Sequence, residues 1–227
     1  MQILDFIPVV LGYLLGSVPF GLLIVKFKTG KDLRDVESGR TGGTNTVRAA
    51  GFWAGLLTAF LDILKGAGAV WIAQTINPGN HLDQVLAPIG AILGHNYSIF
   101  LIKRDEDGKL RFHGGAGGAP TLGGAMGLWL PMFPIVFAVG AFIWFTVGIA
   151  SVATMTIALT VIIVFAIRAS LELQPSMDIW YGIIAQFLLI WALRPNIKKL
   201  MDGNERIVSI SLNGWLRARK QAKLENK

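Results

Sequence analysis

Cysteine is absent from the 227 residues, which removes disulfides, thiolate metal ligands and a cysteine nucleophile together. Histidine is scarce. His81, His95 and His113 stand far apart, so a His-rich zinc centre would need acidic partners from elsewhere, and neither a metal nor a cofactor is expected. Charge is thin as well: 15% of residues are Asp, Glu, Lys or Arg, against about 25% in an average soluble domain. Apolar residues fill the gap, at 53% of the chain and a mean hydropathy of +0.55. This composition excludes an ordinary soluble enzyme and implies an all-α integral membrane protein with one membrane domain. No basic stretch precedes the first apolar run at Ile3, so that run reads as a retained span rather than a cleaved leader. The net charge of +7 raises nucleic acid as a partner. The placement of the cations argues against it, because they cluster between the apolar runs.

Apolar segments cover roughly 3–27, 49–75, 84–102, 119–147, 151–167 and 179–193. A spanning helix needs about 20 residues. The segment 119–147 is longer and carries Pro131 and Pro134 in its middle, so it is one kinked helix or two short ones. The positive-inside rule decides between them. Lys26, Lys28, Lys31, Arg34, Arg40 and Arg48 follow the first span, and Lys103, Arg104, Lys109 and Arg111 follow the third. Nine further cations lie from Arg194 to Lys227, and residues 76–83 contain none. Two short helices, about 119–131 and 132–148, place all three basic regions in the cytoplasm. The expected architecture is therefore seven transmembrane helices, two of them short, with the N-terminus outside and the C-terminus inside. A membrane domain would cover 1–205. A basic tail, 206–227, would lie on the inner membrane surface, where anionic lipid attracts Arg217, Arg219, Lys220 and Lys223 beside Trp215 and Leu216. Gly12, Gly16, Ser17 and Gly21 form a small-residue stripe for close helix contact, and Pro19 should kink the first span.

The polar exceptions carry the chemistry. Residues 38–48, Ser-Gly-Arg-Thr-Gly-Gly-Thr-Asn-Thr-Val-Arg, hold hydroxyls, an amide, glycine N–H groups and two guanidiniums between two apolar runs. That set suits an oxyanion, with Thr44 or Asn45 capping the helix that follows. Asp62 and Lys65 stand three residues apart inside the second span, where charges face the bundle interior. His95 lies toward the same side as 38–48. Residues 102–113 read as a hairpin turning at Asp107-Gly108. A second Gly-rich stretch, 114–118, then leads into the apolar segment at 119.

These residues resemble the PlsY family of bacterial acyl-phosphate-dependent glycerol-3-phosphate acyltransferases. The first motif looks like Tyr13–Gly21 followed by Lys31-Asp32-Leu33-Arg34 and Ser38-Gly39, Gly42-Gly43-Thr44-Asn45 and Arg48. Asp62-x-x-Lys65-Gly66, Gly94-His95, Phe112-His113-Gly114-Gly115-Ala116-Gly117 and Arg194-x-Asn196-Ile197-Lys198-Lys199 with Gly203-x-Glu205 continue the likeness along nearly the whole chain. The resemblance implies acyl transfer from acyl phosphate to the primary hydroxyl of glycerol 3-phosphate, giving lysophosphatidate and phosphate at the inner membrane of a bacterium. Residues and resemblance together single out Ser38, Asn45, Arg48, His95 and Asn196 as catalytic. Arg40, Thr44, Lys65, His113, Gly114, Gly115, Gly117, Ser151 and Glu205 make up the substrate- and phosphate-binding set. The partners implied are acyl phosphate, glycerol 3-phosphate and membrane lipid, with no nucleic acid; the oligomeric state is left open by the sequence, with a monomer favoured.

The chain departs from the family pattern at Arg40 (Asn in the family), Ala116 (Lys), Gly148 (Arg) and Leu193 (His). His113 stands where lysine is common, and 103–111 looks inserted. Arg40 is the expected compensation for lost charge, then His113. A re-purposed relative that binds an anionic lipid or phosphorylated metabolite is the second reading, and turnover distinguishes it. A small-solute transporter is the third, and the lack of a convincing repeat between the halves argues against it.

Overall fold

The computed structural model describes residues 6–104 and 107–225. Its first span is two helices, α1 (Ile7–Ser17) and α2 (Phe20–Thr29), parted at Val18-Pro19. Proline lacks an N–H and restricts its predecessor, so the break falls where expected. An amphipathic helix α3 (Gly43–Ala50) precedes α4 (Phe52–Ile76), with Gly51 turning between them at φ +88°. α5 (His81–Asn96) ends earlier than the apolar run suggested. Residues 98–104 form a strand, β1 (Ser98–Arg104), paired antiparallel with β2 (Leu110–His113). Apolar β-branched residues serve a strand as well as a helix, so periodicity alone could not place this boundary. Ser98 anchors the strand by donating from Oγ to Ser17 O at 2.6 Å. The hairpin connection contains Gly108 at φ +76°, and residues 105 and 106 of the expected turn region lie outside the described residues.

The long fourth segment is two helices, α6 (Gly118–Leu128) and α7 (Met132–Thr146), breaking at Trp129–Pro131. Pro134 falls in the first turn of α7, where its missing N–H breaks no helical bond. α8 (Ala150–Ser170) and α9 (Met177–Met201) follow. α9 continues through Pro195, eight residues beyond the expected end at Leu193. α10 (Leu212–Glu225) closes the chain. The stretch before it docks on the start of α8: Val208 N donates to Gly148 O at 2.7 Å, and Ile149 bridges Ile207.

The core rests on small residues. α1 and α5 approach so closely that a Cβ at Gly16 would overlap the backbone of Ala91, and one at Gly94 the carbonyl of Tyr13. A second core of Ile92, Met132, Phe165, Tyr181 and Leu189 joins α5, α7, α8 and α9. Leu57, Phe60, Phe142, Ile163 and Phe187 remain exposed on the helices, as a lipid-facing surface requires. Residues 7–29, 52–76, 150–170 and 177–201 form helices long and apolar enough to cross a membrane, and α7 is apolar but shorter.

Candidate active site

The loop 38–48 folds around one amide. Asn45, 3% exposed, donates from Nδ2 to Val36 O and Arg40 O at 2.9 Å and to Leu33 O at 3.2 Å. Three carbonyls around one atom fix the amide's orientation, since the flipped group would set oxygen against oxygen. Asn45 is thus the keystone of the loop. Helix α3 begins at Gly43 with Gly42 as N-cap, two residues before the expected capping position, and neither Thr44 nor Asn45 caps it. Thr44 Oγ1 instead accepts from Trp144 Nε1 at 3.3 Å. Upstream, Asp32 accepts from Arg34 N and from its guanidinium, which holds the Asp32 carboxyl down to about 2 and rigidifies the approach to the loop.

The loop forms one side of a cavity of about 520 Å³. The polar lining comes from Glu37, Ser38, Arg40, Thr44, Asn45 and Arg48, from Asp62 and His95, from Ser151, and from Asn196, Lys199, Glu205 and Arg206. The apolar lining comes from α4 (Phe52, Leu56, Ile63), α7 (Val136, Phe137, Trp144, Phe145) and Ile157 of α8. The N-terminal turns of α3 and α8 both border it, and unpaired N–H groups there favour an anion.

The two arginines of the loop differ in their commitments. Arg40 donates to Gly115 O at 2.9 Å, to Ala192 O and to Asn196 Oδ1 at 3.1 Å. It therefore ties three segments together, and burial pushes its pKa below the usual arginine value. Arg48 makes no side-chain hydrogen bond or ion pair among the described residues. It sits in the last turn of α3, ahead of the span that begins at Phe52. Half-burial lowers its pKa, partly opposed by Glu37.

Asn196 connects Arg40 to Glu205, accepting from the first and donating from Nδ2 to Glu205 Oε1 at 2.9 Å. Glu205 Oε2, Asn45 Oδ1 and Ser151 Oγ are buried and have no hydrogen-bond partner among the described residues, and all three side chains line the cavity. Buried polar atoms normally find partners, so a group of orphans around one hollow marks a binding site. His95, 5% exposed, places Nδ1 3.6 Å from Asp62 Oδ1, and its ring lies where a Cβ on Gly115 would sit. Lys65 stands behind this pair, 2.8 Å from Asp62 Oδ1 and donating to Val18 O, and it does not line the cavity.

Ten of the sequence-predicted residues thus share the hollow: Ser38, Arg40, Thr44, Asn45, Arg48, His95, Gly117, Ser151, Asn196 and Glu205. His113 and Gly114 border a separate, smaller hollow, while Gly115 supports His95 and Arg40 from outside both. Sequence reasoning missed Glu37, Trp144, Lys199 and Arg206. Lys199 was visible in the third motif, and Arg206 stands next to Glu205. Nothing in the sequence paired Arg206 with Glu37, which lie 3.2 Å apart.

The protein is a helical membrane bundle that encloses a cavity with cationic, hydroxyl-bearing and apolar linings. The chain belongs to the glycerol-3-phosphate acyltransferase family, whose profile, described as "Glycerol-3-phosphate acyltransferase", matches residues 6–203. A relative of that name from Rubrobacter xylanophilus is 34% identical over 203 residues, 89% of this chain and 94% of that protein. One from Thermus thermophilus is 35% identical over 197 residues, 86% and 91% respectively. The crystal structure of PlsY (YgiH), an integral membrane glycerol 3-phosphate acyltransferase in its glycerol 3-phosphate form, is similar at 31% identity and a TM-score of 0.74, covering 89% of this chain and 94% of that one. Its lysophosphatidic acid form aligns at 30% identity and a TM-score of 0.72, covering 91% and 96%.

Proposed function

We propose that this protein transfers an acyl group from an acyl phosphate to the primary hydroxyl of glycerol 3-phosphate, releasing lysophosphatidate and inorganic phosphate. The observation that carries the reading is Arg48, a guanidinium with no hydrogen bond or ion pair among the described residues, in a cavity that joins a cationic lining to an apolar one. Both substrates are anions, and the donor also carries a long chain. Arg48, Lys199 and Arg206 supply positive charge for the two phosphates, and Ser38, Ser151 and the N–H groups at the start of α3 supply donors. The chain of the donor takes the lining of Phe52, Leu56, Phe137 and Phe145.

An acyl phosphate is an activated anhydride, so the protein's task is to hold two anions close and to orient a hydroxyl. The acceptor oxygen attacks the acyl carbon, and the bond from that carbon to the phosphate oxygen breaks. His95, backed by Asp62, takes the hydroxyl proton; phosphate leaves with the bonding electron pair. The test is donor choice: purified protein with glycerol 3-phosphate should form lysophosphatidate from palmitoyl phosphate and none from palmitoyl-CoA. Equal use of the thioester would overturn the donor assignment.

Arg40 acts as a clamp on this site. Arg40→Asn should reduce turnover by about tenfold or more, because it unties Gly115, Ala192 and Asn196 at once. Adding Ala116→Lys should not rescue it, since a lysine at 116 replaces a charge and not a three-way tie. Recovery in the double mutant would make Arg40 a substrate ligand instead.

The same reading places the protein in a bacterial inner membrane with seven spans, N-terminus outside and C-terminus inside. The breaks at Val18-Pro19 and Trp129–Pro131 support it, with α4 and α8 packed on the short helices. α10 then lies on the inner surface, with Leu212, Trp215 and Leu216 exposed beside Arg217 and Lys220. Single cysteines at Asp107 and Gln221 should resist an impermeant thiol reagent in intact cells, and one at Gly79 should react. Labelling of either of the first two from outside contradicts the topology.

A further inference from the structure

A second hollow, of about 210 Å³, lies on the other side of Arg40. It is bordered by Asn96, Tyr97 and His113 and by Trp191 and Arg194, and it shares Arg40 with the larger cavity. Among the described residues, no acidic side chain lines it. Arg194 is held in place by stacking its guanidinium 4.4 Å above the Trp191 ring. His113 turns Nδ1 to Leu101 O at 3.3 Å, which leaves its Nε2 without a partner among the described residues.

The decisive side chain is Asn96. It is 5% exposed, yet neither its Oδ1 nor its Nδ2 has a hydrogen-bond partner among the described residues. A buried amide with four unused bonding positions costs several times what one hydrogen bond contributes, so a protein keeps it where something else completes it. The Arg194 guanidinium, an imidazole and an amide around one small hollow, with the charge of the clamped Arg40 in its wall, match a compact oxyanion in charge and donor geometry.

We infer that this hollow is a second binding site for a small phosphate-bearing anion, set back to back with the reaction cavity across Arg40. The inference deepens the proposed function in one respect: that reaction consumes one phosphate monoester and releases inorganic phosphate, and either fits here. The site explains why the second Gly-rich stretch divides, with His113 and Gly114 on this hollow and Ala116 and Gly117 on the other. Arg40 then separates two anion sites and positions both.

The test is the stoichiometry of inorganic phosphate binding by equilibrium dialysis, on protein in a phosphate-free detergent. The wild type should bind two phosphates per chain. Arg48→Gln should bind one, retained in the second hollow. Arg194→Gln should weaken that retained site at least tenfold, and Asn96→Leu should abolish it. Arg194 is exposed, so its replacement leaves the fold intact even if Asn96→Leu does not fold. Competition with glycerol 3-phosphate identifies the source. Displacement from both sites supports an acceptor route through the hollow; displacement from the reaction cavity alone supports a release pocket for phosphate. One phosphate per wild-type chain, lost in Arg48→Gln, overturns the second site and leaves the proposed reaction standing. Two bound phosphates without acyl transfer does the reverse.

Discussion

Arg48→Lys should lower kcat/KM by about 10²–10³-fold, the scale of removing one preorganised donor from a charged site. The argument turns on what the guanidinium is not doing. Arg40 spends its donors on Gly115, Ala192 and Asn196, whereas Arg48 makes no hydrogen bond or ion pair among the described residues. A half-buried arginine with no such partner among the described residues keeps its planar fork for a ligand. Lysine preserves the charge but offers a single point donor in place of two parallel bonds. The loss should therefore appear in both KM and kcat, while the melting temperature stays close to wild type. A variant with wild-type kinetics would remove Arg48 from the site. A variant with a collapsed melting temperature would make its role structural.

Asp62→Ala should destabilise the protein by about 3–5 kcal/mol, because it strands a buried ammonium. The Asp62 and Lys65 side chains are 2% and 1% exposed and lie 2.8 Å apart. Among the described residues Lys65 retains the carbonyl of Val18 and the Phe20 ring, 5.8 Å away, once the carboxylate is gone. Replacing both residues by leucine removes the stranded charge, and unfolding in detergent should return toward the wild-type midpoint. Activity should not return with it, since Asp62 also stands beside His95 in the cavity. Full activity in the double mutant would reduce the pair to a structural tie. Equal instability in the single and double mutants would show that the buried charge is not the cause.

The membrane class and the principal break points were legible because each has a local cause. Pro19 and Pro131 each lack an N–H and restrict the residue before them, which favours a break there, and the loop 38–48 has almost nothing apolar to bury. The ion pair of Asp62 and Lys65 was legible because two charges at helical spacing inside an apolar run have few other solutions. The hairpin expected over 102–113 is present, but its first strand begins earlier, at Ser98: Ile99 and Phe100 suit a helix or a strand, and pairing with 110–113 decides. The roles within the loop were also hidden. Asn45 was expected at the chemistry, but its Nδ2 is engaged by three carbonyls that only the folded turn brings together. Arg40 was expected to bind phosphate, and its strongest partners are main-chain oxygens 75 and 152 residues away. Pro195 lacks the N–H that would reach Trp191 O, and Arg194 donates to that carbonyl at 3.5 Å. Gly148 stands where the resemblance led one to expect arginine, and the structure gives a local reason for glycine: φ is +73°, and a Cβ would overlap the Ser211 side chain. The docked stretch that fills this place also brings Arg206 to the cavity.

The central claim is that one cavity joins an acyl phosphate to glycerol 3-phosphate. Phosphorus-31 NMR on a single sample tests it most directly, with the purified protein in bilayers and both substrates present. The account predicts that the acyl phosphate resonance falls while lysophosphatidate and inorganic phosphate rise in equal amounts, and that Arg48→Lys slows all three changes together. Persistence of both substrate resonances, or loss of acyl phosphate to phosphate and free fatty acid without lysophosphatidate, would contradict it.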